Sequence, residues 1–399
     1  MGTLLQYEIK KIVNQRFVWV SFVLSFLLIL VTVCSHLIGS YYVDGERIGS
    51  NYEMFQIDRE YQKALDGRPI DEIMLKEMQE AYGKVPLDAE QYSLTEEYQK
   101  YARPYSAIYN YVRQTTGLSG MEALKWVVST ENLHTKRLER QEQRWESFLL
   151  TDTEKAYWKK QEEKLENPII FQYAEGYSVL FSAVYTIGLL ALFVVSVCLT
   201  GVFPQEHVRR TDQLILSSKH GRREVYWAKF LAGLLFSLLM SLLFILIAFI
   251  SVFILYGTEG FDAAFQLIYA GYSGPISIGE AVIIAYAIVI VATVFMGAFV
   301  MMLSEVLHSS VGTLAIATGM IVLPMLISMP EGSRVLSQLW SYIPSDFVGV
   351  WSIFSVCTVE VFGNVVLAWQ IVPVIYTVLT ICFAFVTRQT FVKYQVSGR

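Results

Sequence analysis

Cysteine is scarce and scattered in this chain. Of the four, Cys34, Cys198 and Cys382 lie inside apolar runs and Cys357 stands alone, which leaves neither a disulfide framework nor a C-x-x-C metal site. No N-x-[ST] acceptor occurs, so the mark of a glycosylated secretory product is missing. The G-x-x-x-x-G-K-[ST] phosphate loop is absent too, and nucleotide binding of that kind would need another chain. There is no H-E-x-x-H; His36, His134, His207, His220 and His308 are dispersed and read as loop or surface residues rather than metal ligands. Ser217-Ser218 and Ser309-Ser310 have no G-x-S-x-G around them, and hydroxyls at helix ends ordinarily cap or bond backbone carbonyls. An enzyme reading has little to rest on. Charged residues make up 17% of the chain with a net charge of -5, which argues against a nucleic-acid partner.

What is abundant is apolar sequence, at 54% of residues, gathered into long blocks from which charge is excluded. That is the pattern of a membrane protein. Residues 1–16 place Leu4, Leu5, Ile9, Ile12 and Val13 at helical spacing against Lys10, Lys11 and Arg16, which predicts an amphipathic helix on the membrane surface. A flexible basic leader is the alternative. Residues 17–39 form a first span, too long for a signal-peptide core and without a small-x-small site before Tyr41. Val33 directly ahead of Cys34 makes a poor lipoprotein cleavage site, so an uncleaved anchor is expected. Further apolar runs at 177–202, 225–256, 281–303, 311–329 and 368–387 bring the expected spans to six.

Charge orients them. Outside 40–175, Lys and Arg fall at Lys10, Lys11 and Arg16, at Arg209, Arg210, Lys219, Arg222, Arg223 and Lys229, and at Arg388, Lys393 and Arg399, with Arg334 the one exception. Six spans with the N-terminus inside put the three groups in the cytoplasm and only Arg334 outside, as the positive-inside rule requires.

Between the first two spans, 40–175 changes to a charged, tyrosine-rich composition and reads as an all-α extracellular domain. Met74, Met78 and Tyr82 keep helical spacing, as do Leu124, Val127 and Val128. The run 131–166 predicts one or two long exposed helices, and no strand-like alternation is evident. Residues 176–399 form the five-span membrane domain, in which 330–367 is expected to be a re-entrant or interfacial segment of short helices. There Trp340, Tyr342, Phe347, Trp351 and Phe354 suit an aromatic belt. The rival, a seventh span through 351–366, would carry Glu360 and Asn364 and is short for a crossing.

One polar segment, 203–220, lies between two apolar runs and carries the main candidate residues: Phe203, Glu206, Arg209, Arg210, Thr211, Leu214, Ile215 and Leu216. Thr211 or Asp212 can cap a helical turn, and the Leu214 to Leu216 triplet offers apolar knobs to a partner. A basic juxtamembrane turn that only sets topology, at about 1 kcal/mol per basic residue near an anionic surface, would explain the arginines but neither Glu206 nor the triplet. The order Phe203-x-x-Glu206, Thr211, Leu214-x-Leu216, a small polar pair, Arg222 and Lys229 resembles the cytoplasmic loop of type-2 ATP-binding-cassette (ABC) transporter permeases, approximately F-x-x-E-x-x-x-G-T-x-x-x-L-L-x-x-P. Arg210 stands where that pattern often has glycine, and Ser218 or Lys219 where proline is common.

The resemblance implies a permease subunit of a bacterial exporter whose 203–220 loop is a coupling helix docking on a separate ABC ATPase subunit. No cofactor is then bound directly; ATP and Mg belong to the ATPase. It further implies a second permease copy or a related permease, and outward movement of an amphipathic, peptide or lipid-like substrate across the plasma membrane. Glu305 and His308, three apart between the fourth and fifth spans, form a second candidate contact, or else cap and solvate a turn. In the fifth span, Ala315-x-x-x-Gly319 and Pro324 signal close packing and a kink. Two other readings stay open: a membrane module that senses or resists antimicrobial peptides without transport, and a membrane scaffold needing no nucleotide-binding partner.

Overall fold

A computed structural model describes residues 2–86, 91–126, 130–204, 223–327 and 333–393. Helix α1 (Gly2–Val13) turns Ile9, Ile12 and Val13 toward the bundle and leaves Lys10 and Lys11 exposed. After a corner held by Trp19 Nε1 donating to the Val13 carbonyl at 3.0 Å, α2 (Arg16–Cys34) forms the first long apolar helix.

The inserted domain opens with a hairpin, β1 (Ser40–Val43) and β2 (Glu46–Ser50), turning at Asp44 (φ 47°) and Gly45 (φ 85°). This corrects the all-helical expectation for the domain. An Asp-Gly pair with both residues at positive φ matches the twist of a two-residue hairpin, and strands of four and five residues are too short to announce themselves by alternation. Helices α3 (Asn51–Leu65), α4 (Glu72–Tyr82), α5 (Ser106–Thr116), α6 (Gly120–Trp126), α7 (Thr130–Ser147) and α8 (Asp152–Glu162) complete the domain. Met74, Met78 and Tyr82 of α4 bury into its separate core with Ile108, Val112 and Leu124; Val127 and Val128 lie outside the described residues.

The charged run does form two helices, but they are not simply exposed. Arg137, Gln141 and Arg144 lie on one face of α7 and donate to the carbonyls of Ala270, again Ala270, and Gly271, at 2.5, 3.4 and 2.6 Å. Arg137 also pairs with Glu162, both being almost wholly buried. From α8, Trp158 Nε1 donates to the Val356 carbonyl at 2.9 Å. Glu154 is 2% exposed; it caps its own helix through Thr151 and accepts from Arg334 Nη2 at 2.5 Å and Thr358 Oγ1 at 2.6 Å. Burial alone would raise the Glu154 pKa, but the bonds from Arg334, Thr358 and the Thr151 backbone outweigh it and lower the value. The domain is thus bolted to two bundle loops, near 270 and near 358. The lone basic residue of its loop, Arg334, is one of the bolts.

Four long helices follow the domain. They are α9 (Glu175–Leu199), α10 (Glu224–Tyr256), α11 (Ile278–Leu307), and, after the shorter elements, the last helix. Between them lie α12 (Ser310–Leu326), α13 (Arg334–Ser341), α14 (Pro344–Phe347), α15 (Val350–Ile353) and a second hairpin, β3 (Thr358–Val361) with β4 (Asn364–Leu367); α16 (Ala368–Lys393) closes the fold. Among the described residues, five helices are long and apolar enough to cross a membrane, and α12 is a shorter apolar helix of 17 residues. At 1.5 Å per residue α12 measures about 25 Å, against a hydrocarbon core of about 30 Å; α10, with 33 residues, runs to about 50 Å and projects beyond it. Of the six expected spans, five coincide with full-length apolar helices among the described residues, and the expected 311–329 span coincides with this shorter one.

Helix α11 sits centrally, packed on α9, α10, α12 and α16. Its start is fixed by a capping box between Ser277 and Glu280. The 351–366 stretch is no span: its second half is the β3–β4 hairpin, again turning at two positive-φ residues, Phe362 and Gly363. Short helices do occupy 344–353. Of the expected belt, Phe347 and Phe354 are instead fully enclosed, Phe354 lying tilted against Phe265 with centroids 4.9 Å apart, while Trp351 remains exposed.

Candidate functional site

The site is the pair of helix ends that flank the polar loop, at the end of the bundle away from the inserted domain. Glu206, Arg209, Arg210, Thr211, Leu214, Ile215 and Leu216 lie outside the described residues, so the frame that holds the loop is what the structure describes. On the incoming side, Phe203 is 1% exposed and packs edge-on against Phe391 of α16, centroids 5.9 Å apart. On the outgoing side, Tyr226 of α10 packs beside the same Phe391 at 5.9 Å and its hydroxyl donates to the Ala384 carbonyl. The C-terminal helix therefore joins both ends of the loop. Aromatic contacts of this kind are worth about 0.5–1.5 kcal/mol each beyond burial, which makes the exit and entry points a stiff frame.

Lys229, one turn further along α10, is fully enclosed. Its Nζ reaches Glu8 Oε2 of α1 at 3.2 Å and lies 6.0 Å from the Phe203 ring centroid. Glu8 also faces Lys11 at 3.8 Å. An ammonium is enclosed in protein only where it is paired, so this contact pins the N-terminal helix onto the helix that leaves the loop. Lys10, Lys11 and Arg16, expected on the surface, are all exposed.

Glu305 and His308 behave differently from expectation. Glu305 is fully buried near the end of α11, so it does not solvate a turn. Helix α11 stops at Leu307, and His308 takes a left-handed conformation with φ 52° just beyond its end. Glu305 instead comes within electrostatic reach of the Tyr226 hydroxyl, as does Arg388, which draws the end of α11 into the same frame. The close-packing signal at Ala315 and Gly319 is also unused among the described residues: Ala315 is exposed and none of them approaches the Gly319 Cβ position within 4 Å.

Three members of the frame, Glu8, Tyr226 and Phe391, escaped sequence reasoning, and Lys229 entered it only as a cytoplasmic charge and a member of the loop pattern. Glu8 is the lone acid among residues 2–16 and Lys229 the lone charge in the 225–256 apolar run, near its start. A lone acid on the N-terminal helix and a lone charge in an apolar run were a usable signal for a buried pair. Tyr226 and Phe391 gave none, because their contact joins helices far apart in sequence.

Five apolar helices of spanning length, with an aromatic frame at the helix ends that flank a polar loop, are the architecture of a multi-pass membrane protein. The family model for ABC-2 family transporter proteins matches residues 3–345. The chain belongs to that family and is a multi-pass permease of ABC transporters. The match ends before α16. No individually curated protein matches the chain.

Proposed function

We propose that this permease is the membrane subunit of an ATP-driven exporter in the bacterial plasma membrane, with both termini and the 203–220 loop in the cytoplasm and the inserted domain outside. The observation that carries the reading is the frame around the loop. Phe203, Tyr226, Lys229, Glu8 and Phe391 join α1, α9, α10 and α16 at one place, so a displacement of the loop would be delivered to four helices at once. A separate ATPase holding ATP and Mg docks there, with Glu206 and the Leu214 to Leu216 triplet as its contacts. Closure of two ATPases on nucleotide then draws two loops together and biases the membrane helices between two arrangements.

A second permease copy, or a related permease, completes the pathway; the unpacked Ala315 and Gly319 face of α12 supports a close helix contact with it. With α12 counted, the spans number six and the basic residues fall inside. The substrate is amphipathic, peptide-like or lipid-like, and moves outward. Affinity purification of the tagged chain from native membranes tests the reading: a Walker-motif ATPase copurifies and hydrolyses ATP. A chain that purifies intact and alone from membranes in which such ATPases are present contradicts it.

A further inference from the structure

Where α2, α9 and α10 meet the inserted domain, two cavities share Gln62, Ser106 and Glu175. The first, about 370 Å³, has rings of Tyr41, Phe55 and Tyr256 in its wall and Leu37 and Val179 from the spans. Phe55 and Tyr256 meet edge-on with centroids 5.1 Å apart. The second, about 330 Å³, presents Asn110, Gln114, Ser178 and Ser182. Both volumes fall within the range of small-molecule sites.

The charges around them are unevenly satisfied. Asp58 faces the first cavity but is held by Arg103, whose Nε and Nη2 lie 2.6 and 3.1 Å from its two oxygens, and that guanidinium stacks over Tyr41 at 5.4 Å. His36 is the other titratable lining group beside the tyrosines. Glu175, at the start of α9 and common to both cavities, has a carboxylate with no hydrogen bond or ion pair among the described residues. A partly buried carboxylate without a counter-charge is costly, and aromatic faces beside it suit a cation.

We propose that the paired cavities bind the ammonium group of a small amphipathic molecule, with Glu175 as counter-ion, the Tyr41, Phe55 and Tyr256 rings around the cation, and the amides and hydroxyls of the second cavity taking its polar part. The apolar remainder leaves past Leu37 and Val179, toward the membrane helices. Binding here involves neither the 203–220 loop nor a nucleotide; only its identification with the transported substrate rests on the export reading. Testing binding on the permease without ATPase keeps the two separable.

The full chain in phosphatidylglycerol nanodiscs is titrated calorimetrically with octyltrimethylammonium, octanol and octanoate. Saturable binding of the ammonium alone is expected, weakened tenfold or more by Glu175→Gln, with the melting temperature of the probe-free variant unchanged. Phe55→Leu, which keeps apolar bulk without the ring, weakens the ammonium severalfold. Octanol binding as tightly as octyltrimethylammonium, or undiminished ammonium binding in folded Glu175→Gln, overturns the proposal. Should Glu175→Gln not fold, undiminished binding in Phe55→Leu overturns it. A repeat in phosphatidylethanolamine nanodiscs separates the sources. Loss of probe binding by competition identifies a lipid headgroup as the natural ammonium, and unchanged binding identifies a free amphipathic amine; both support the site.

Discussion

At the residue scale, two enclosed ion pairs hold the two ends of the bundle. Lys229 and Glu8 fasten α1 to α10 at the loop end. Removing a charged hydrogen-bond partner from a buried group costs about 1.5–3 kcal/mol, so Glu8→Gln and Lys229→Met should each destabilise. The double variant should regain part of the loss, giving a coupling energy of about 1–3 kcal/mol in unfolding by sodium dodecyl sulfate; additive losses would contradict the pairing. At the other end, Glu154 holds Arg334 and Thr358. Its pKa is lowered on folding, so the sign is that of a carboxylate more acidic in the native state. The stability it supplies is complete above the unfolded value of about 4.3 and is lost as pH falls through the lowered folded value. Glu154→Gln should lower the melting temperature at pH 7 and flatten its decline between pH 5 and 3. A variant melting with the same acid slope as the parent would refute the assignment.

At the element scale, the long helices approach closely because small residues stand at the crossings. A Cβ on Gly297 of α11 would run into Ser237 Oγ of α10 and come within 3.3 Å of Leu199, and one on Gly188 of α9 would lie 2.8 Å from Val348. Among the described residues, nothing lies within 4 Å of a Cβ on Gly319 of α12. Gly297→Val should therefore cost about 1–3 kcal/mol by overpacking, while Gly319→Val leaves the melting of the single chain unchanged and acts only on assembly with a second copy. Equal destabilisation by the two would contradict this packing. The long helices were legible in the sequence, since apolar length and excluded charge suffice to mark them. The hairpins were not, their strands being four or five residues long, although Asp44-Gly45 was a turn signal in plain view. Helices α7 and α8 were legible as helices but their burial was not. Arg137, Gln141 and Arg144 share a face by spacing alone, yet what they grip is the backbone at 270 and 271, which leaves no mark in side-chain pattern.

At the scale of the whole molecule, the inserted domain is tied to two loops at one end and the polar loop is framed by four helices at the other, with α9, α10 and α11 running between them. Movement at the loop end can reach the domain through those helices and through α2 and α16, which also run between the two ends. The sequence located the loop by its charge and by its family resemblance, but the frame around it is a set of contacts between distant segments and had to be seen in three dimensions. The most direct measurement is ATP turnover by the permease reconstituted with its ATPase after Glu206→Ala and Leu214→Ala, alongside assembly of the two subunits. Docking at this loop predicts that the paired substitutions lower assembly and turnover at least tenfold while the permease itself melts as before. Unchanged assembly and turnover would contradict it.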